Sequence, residues 1–191
     1  MLSDRELIMQ LQAGDLEALG ELYDRHQHMV YRTALAITGD RCAAADLLHD
    51  VFLRLHRFAD RIDPHRPIEP WLYRITTNLT YTWVKRRNRF FQPLEDLAEW
   101  FSGANKESPA TQVVADEEWQ DVRRAIGKLP LSQRVVVVLY YVNDLSLQEI
   151  SEILAVPVGT VKSRLYYGRT ALKRHLESTG VDIGQVQYEF T

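Results

Sequence analysis

Helix boundaries are marked along this chain more plainly than any other structural feature. Ser3-x-x-Glu6 and Ser146-x-x-Glu149 have the capping-box spacing, in which a hydroxyl and a carboxylate satisfy each other's orphan amides. Glycines stand where helices should stop, at Gly14 and Gly39, and prolines where they should start, at Pro70, Pro130 and Pro157. Between these marks, apolar residues recur at steps of three and four, which turns one face of a helix toward a core. Leu7, Ile8 and Leu11 predict a short first helix; Leu16, Leu19, Leu22, Tyr23, Val30 and Ile37 predict a second, ending at Gly39. Ala44, Leu47, Leu48, Val51, Leu55 and Phe58 predict a third over about 41–58. Three prolines keep Asp63 to Pro70 irregular, and a fourth helix should run from Pro70 to about Asn88. Further helices are expected over about 116–128, 131–142, 146–154 and 157–176. The run Val135–Val138 has strand propensity, but Pro130 starts a helix and every neighbouring segment is helical. The expected fold is all-α: two small helical domains joined by a flexible acidic linker, the second carrying a helix–turn–helix.

Charge divides the chain in the same places. The whole carries 23 basic and 26 acidic side chains, a net of -3, so nothing global announces a polyanionic partner. Residues 1–89 are net +1, 90–121 net -7 and 122–191 net +3. Two windows, Pro70 to Leu94 and Ile153 to Leu176, contain no acid and five basic residues each. Solvated helices usually intersperse both signs, so such windows suggest contact with phosphates, the alternative being a merely cationic surface. The implied organisation is a first domain over 1–89, a linker over 90–117, a second domain over 118–178 and a tail over 179–191.

Other classes fall away quickly. An apolar fraction of 46% is that of a globular chain, and the longest apolar run, Val135 to Val142, is far short of a membrane span. No basic and then apolar signal region opens the chain, and a single cysteine, Cys42, permits no intrachain disulfide. A cytoplasmic protein without membrane insertion is expected. No phosphate-cradling glycine loop and no nucleophile–base pair appears. Neither His26 and His28 nor His49 and His56 forms a convincing ligand set with an acid, so no metal, no cofactor and no enzymatic chemistry are expected.

Two helices carry recognition chemistry. In the last, Val158, Val161, Leu165, Gly168 and Leu172 share one face, while Thr160, Ser163, Tyr167, Thr170 and Arg174 lie opposite, flanked by Lys162, Lys173 and Arg164. With the preceding capped helix and the turn Ala155-Val156-Pro157, this is the arrangement that reads the major groove. A structural hairpin is the alternative. In the fourth helix, Leu72, Ile75, Leu79 and Trp83 form a core stripe, and Trp71, Arg74, Asn78, Tyr81 and Lys85 a second one. Aromatic planes, an amide and cations suit unpaired bases, although the rim of a core helix would look the same. The basic end Lys85-Arg86-Arg87-Asn88-Arg89 also complements the helix dipole. Asp46, His49, Asp50, Arg54 and Arg57 share the polar side of the third helix, where Asp50 and Arg54 are spaced for an ion pair. On residue chemistry alone that is a solvated face.

The order of these strings resembles a known family. Asp46-Leu47-Leu48-His49-Asp50-Val51-Phe52 and Pro70-Trp71-Leu72-Tyr73-Arg74-Ile75-Thr76-Thr77-Asn78 are similar to region 2 of the extracytoplasmic-function (ECF, group IV) sigma factors of bacterial RNA polymerase. Leu129-Pro130-x-x-Gln133-Arg134, Leu145 to Ser151 and Val156 to Leu165 are similar to region 4. The resemblance implies that Asp46, His49, Asp50, Arg54 and Arg57 dock on the clamp helices of core RNA polymerase, with region 4 at the flap. It implies that the loop holding His65 and Arg66, with Trp71, Arg74, Asn78, Tyr81, Lys85, Arg86 and Arg87, receives the melted minus-ten element of promoter DNA. Thr160, Lys162, Ser163, Arg164, Tyr167 and Arg169 would read the minus-thirty-five element. The family commonly carries Gln-Glu at the place of His49-Asp50, and some relatives carry Arg at the place of Tyr167. An anti-sigma factor is implied as a further partner. The rivals are a duplex-binding regulator independent of polymerase and a small metal-dependent hydrolase using His49.

Overall fold

The computed structural model describes residues 2–90 and 122–178, all helix, turn and loop. The expected acidic linker, but for its first residue, and the tail lie outside the described residues. The first unit contains α1 (Asp4–Gln12), α2 (Leu16–Thr38), α3 (Arg41–Arg57), a single 3-10 turn (Ala59–Arg61) and α4 (Glu69–Phe90). The second contains α5 (122–128), α6 (Leu131–Tyr141), α7 (Leu147–Leu154) and α8 (Val158–Ser178).

The punctuation operates as its chemistry requires. Both capping boxes close: Ser3 and Ser146 accept the Glu6 and Glu149 amides, and each glutamate reaches back to its serine's backbone N–H at 2.7 and 2.8 Å. Asp15 and Asp40 cap α2 and α3 through their side chains, and Gly39 ends α2 in the left-handed region at φ 69°. The valine run is helical and wholly buried within α6, where its β-branched side chains fill the second core. Tertiary burial outweighs the strand preference.

Four expectations need correction. Helix α4 starts at Glu69, one residue early; Pro70 still sits in the first turn, where its missing N–H costs nothing. Leu16 is 62% exposed, because as the first residue after the Asp15 cap it precedes the turn that meets the core. Asp50 and Arg54 do not form the expected pair; both are exposed, where such a contact returns little. In α4 only Leu72 of the expected core stripe is fully buried. Tyr73, Thr76, Thr77, Thr80 and Val84 are the other buried residues of that helix, with Ile75, Leu79 and Trp83 half-buried.

That last difference has a cause in the packing. One core binds α1, α2, α3 and the start of α4 through Leu7, Ile8, Leu22, Val30, Val51, Leu55, Ile68 and Leu72. A second unites α6, α7 and α8 through Val136, Leu139, Ile150, Val161 and Leu165, and it takes in Ile37 of α2 and Tyr73 of α4. Helix α4 is therefore covered on two sides. The buried threonines return their hydroxyl protons to the helix: Thr76 to the Leu72 carbonyl at 2.7 Å, Thr77 to Tyr73 at 2.9 Å, Thr80 to Thr76 at 2.9 Å. No hydroxyl of the stripe is left with an unmet donor, so it can be buried at low cost.

Candidate nucleic-acid interface

The α4 stripe splits by environment. Arg74, Asn78, Tyr81, Lys85 and Arg86 are exposed, whereas Trp71 is half-buried against the first core. Lys85 places its ammonium 4.6 Å from the Tyr81 ring centre, a cation–π pair that keeps the aromatic plane and the charge together at the surface. Arg87 is engaged within the unit: it lies over the Trp83 ring at 5.1 Å and bonds Asp40 at 2.9 Å. The Ala43 amide and then Arg87 hold the Asp40 carboxyl below its usual range. Arg87 thus ties the end of α4 to the start of α3.

The loop before α4 is built around Asp63. Its carboxylate accepts the His65 amide at 3.0 Å, its carbonyl accepts the Arg66 amide at 3.2 Å, and Arg66 Nε lies 3.5 Å from Oδ2. Ile68, 1% exposed, pins the loop to the core, so His65 and Arg66 project outward from a fixed base.

In the second unit, Ser151 Oγ donates to the Val156 carbonyl at 2.6 Å and closes the turn, in which Ala155 adopts the left-handed conformation at φ 52°. Gly168 allows α8 to approach α6: a Cβ there would lie 2.7 Å from Val137 Cγ2. So seated, α8 exposes Lys162, Ser163 and Tyr167, with Thr160, Arg164 and Arg169 half-buried. Tyr166, not singled out by periodicity, is 63% exposed and packs edge-on against Tyr167 at 5.5 Å. Two adjacent exposed tyrosines without an apolar period were the available signal.

Asp46, His49, Asp50, Arg54 and Arg57 all lie exposed on α3. Leu53, 66% exposed, stands among them and was missed because a lone leucine on a polar face breaks no pattern. Arg57 and Arg61 flank the Phe58 ring at 5.7 and 5.3 Å.

The sequence reading also missed Asp4, His26 and Glu69, whose ligand atoms come within 4.8 Å of one another from three elements. Their donor set could hold a divalent ion. Asp4, however, already bonds Arg25 at 2.7 Å and the His26 imidazole at 2.8 Å, so the cluster works as a polar staple between α1 and α2.

The two units meet beside α4. Thr77, Asn78 and Tyr81 of α4 face Ser132 and Val135 of α6, Leu154 of α7 and Arg164 of α8 across a shared cleft. Two helices, each fixed on a core and presenting cations, hydroxyls and aromatic rings from a stretch without acids, can contact phosphates and bases.

Comparison with known proteins agrees with that chemistry. Residues 22–90 match the family described as Sigma-70 region 2, and residues 119–172 the family described as Sigma-70, region 4. The chain is 33% identical over 183 residues to the ECF RNA polymerase sigma factor SigW of Bacillus subtilis, covering 90% of this chain and 96% of that one. It is 31% identical to the ECF RNA polymerase sigma-E factor of Escherichia coli, covering 92% and 95%. Among solved structures, CnrH in complex with the cytosolic domain of CnrY superposes with a TM-score of 0.68 at 26% identity, over 92% of this chain and 97% of that one. The sigma factor RpoE of Bartonella quintana, in complex with the anti-sigma factor NepR, has the same fold, with a TM-score of 0.64 at 21% identity over 83% and 96%. With the two regions in order and relatives matched over nearly their whole length, the chain belongs to the ECF sigma factors of RNA polymerase.

Proposed function

We propose that this chain binds core RNA polymerase, directs it to promoters and helps open the duplex, as a group IV sigma factor with no catalytic chemistry of its own. The observation that carries the reading is the pair of acid-free basic windows, 70–94 through α4 and 153–176 through α8, one in each matched region. The first domain, 1–89, docks on the clamp helices through Asp46, His49, Asp50, Arg54 and Arg57, with Leu53 as an apolar anchor among them. Unstacked minus-ten bases are received by His65, Arg66, Arg74, Asn78, Tyr81, Lys85 and Arg86. Trp71 supports them from the rim of the core, and Arg87 braces the helix end. The second domain, 118–178, lies at the flap and reads the minus-thirty-five duplex through Thr160, Lys162, Ser163, Arg164, Tyr167 and Arg169, with 90–117 as the acidic linker. The chain acts in the cytoplasm and is held in check by an anti-sigma factor, a reading supported by the fold it shares with the Bartonella quintana RpoE bound to the anti-sigma factor NepR.

Asn78→Ala separates opening from docking. With the full chain and core polymerase, the variant should co-elute with core as the parent does yet melt a linear promoter at least about fivefold more slowly, since a lost base-edge contact is worth about 1–3 kcal/mol. Parental opening by Asn78→Ala would overturn the assignment.

A further inference from the structure

Three side chains with metal-ligand chemistry converge from three helices of the first unit. Asp4 stands in the first turn of α1, His26 midway along α2 and Glu69 at the first position of α4. One ligand atom of each lies within 4.8 Å of the other two. The sequence sets His26 beside His28, but its partners come from α1 and α4, at separations that leave no motif.

Arg25 prepares the site. Its Nη1 donates to Asp4 Oδ1 at 2.7 Å, while Nη2 is held by the Leu2 carbonyl at 2.6 Å and by Glu21 at 3.5 Å. That fixes the Asp4 carboxylate with Oδ2 turned to His26 Nε2, 2.8 Å away. Carboxylates that bind metals are oriented by outer hydrogen bonds of this kind. The His26 side chain is 11% exposed and has little freedom to turn away, whereas Glu69 is exposed and can swing. Ligand atoms on one ion sit about 3–4 Å apart, because each bond to it is about 2.1 Å long. A slight widening between His26 and Asp4, with Glu69 rotating onto them, meets that requirement.

We propose that Asp4, His26 and Glu69 bind one divalent cation of the class of zinc, cobalt and nickel, which takes the place of the hydrogen between Nε2 and Oδ2. The neutral imidazole then carries its hydrogen on Nδ1, and Arg25 keeps its bond to Oδ1. One imidazole nitrogen with two carboxylate oxygens suits this class, whereas calcium and magnesium favour oxygen ligands alone. Three protein ligands leave a fourth position to water. Without the ion, Asp4 and His26 staple α1 to α2; with it, the first turn of α4 is tied to both. An ion that binds only the folded arrangement stabilises it by mass action. The site does not depend on the function proposed above.

The test uses the full chain with Cys42→Ser, which removes the exposed thiol as a competing ligand. Titration of the metal-free protein with cobalt(II) should raise a visible absorption band that saturates at one equivalent and is bleached by zinc. Zinc at about a hundredfold excess over its dissociation constant should raise the melting temperature by about 5 °C or more. Glu69→Gln removes an exposed ligand and should weaken cobalt binding by at least about tenfold. His26→Gln should weaken it at least as much; because His26 also serves the fold, Glu69→Gln carries the decision should that variant fail to fold. No saturation at one equivalent, or a melting temperature that zinc leaves unchanged, would overturn the site. So would parental affinity in either folded variant, which would mark adventitious binding to the other histidines.

Discussion

Two residues show how closely this fold is specified. At Gly168 α8 lies close against α6, and a Cβ there would press on Val137 at 2.7 Å. Gly168→Val should therefore lower stability by about 2 kcal/mol, the cost of overpacking a filled core. Thermal melts check it, and combining it with Val137→Ala should recover part of the loss. Ala155 holds the left-handed conformation at φ 52° in the turn between α7 and α8. That conformation costs an L-residue with a Cβ about 1–2 kcal/mol, so Ala155→Gly should raise the melting temperature without altering DNA recognition. Leu16 and the threonines of α4 teach the reverse lesson. An apolar period in sequence says which residues could share a face; it does not say whether the face is covered. Leu16 has the period and lies at the surface, while Thr76, Thr77 and Thr80 lack it and lie in the interior.

At the scale of the element, what could be read was the punctuation, because caps are local chemistry. Ser3, Ser146, Gly39 and Pro130 act within one turn of the helix they start or stop, so no distant residue can alter their meaning. The cap of α7 also predicts a pH dependence. Its hydrogen bonds from the Ser146 side chain and backbone hold the Glu149 carboxyl below the usual value of 4.5. A carboxyl with a lowered folded value contributes stability above the unfolded value and loses it as pH falls through the folded one. The difference in melting temperature between the parent and Glu149→Gln should thus be present at neutral pH and shrink as the pH falls through the lowered carboxyl's range. The recognition helix yields a second test. Lys162 is exposed on the acid-free face of α8. If it neutralises a phosphate, Lys162→Ala should weaken promoter binding by the polymerase complex and reduce the slope of log affinity against log salt by about one.

On the scale of the whole molecule, the contact between the two units was invisible to sequence reasoning. Thr33 and Asn143, which bond across it, stand 110 residues apart, and Arg134 reaches a carbonyl 97 residues away. Neither distance leaves a local trace, and the same holds for the staple of Asp4 and His26. What could be seen was the separation of charge: two basic helices in units of their own, with a strongly acidic segment between them. The proposed division of labour rests on that separation: one helix would offer rings and an amide to separated strands and the other hydroxyls and cations to a closed groove. The most direct test is run-off transcription on a genomic DNA library with purified core polymerase and the full chain, followed by mapping of the start sites. The account predicts starts at a small set of positions sharing two upstream elements at one fixed spacing, and none with core alone. Transcripts no different from those of core alone, or starts with no shared elements, would contradict it.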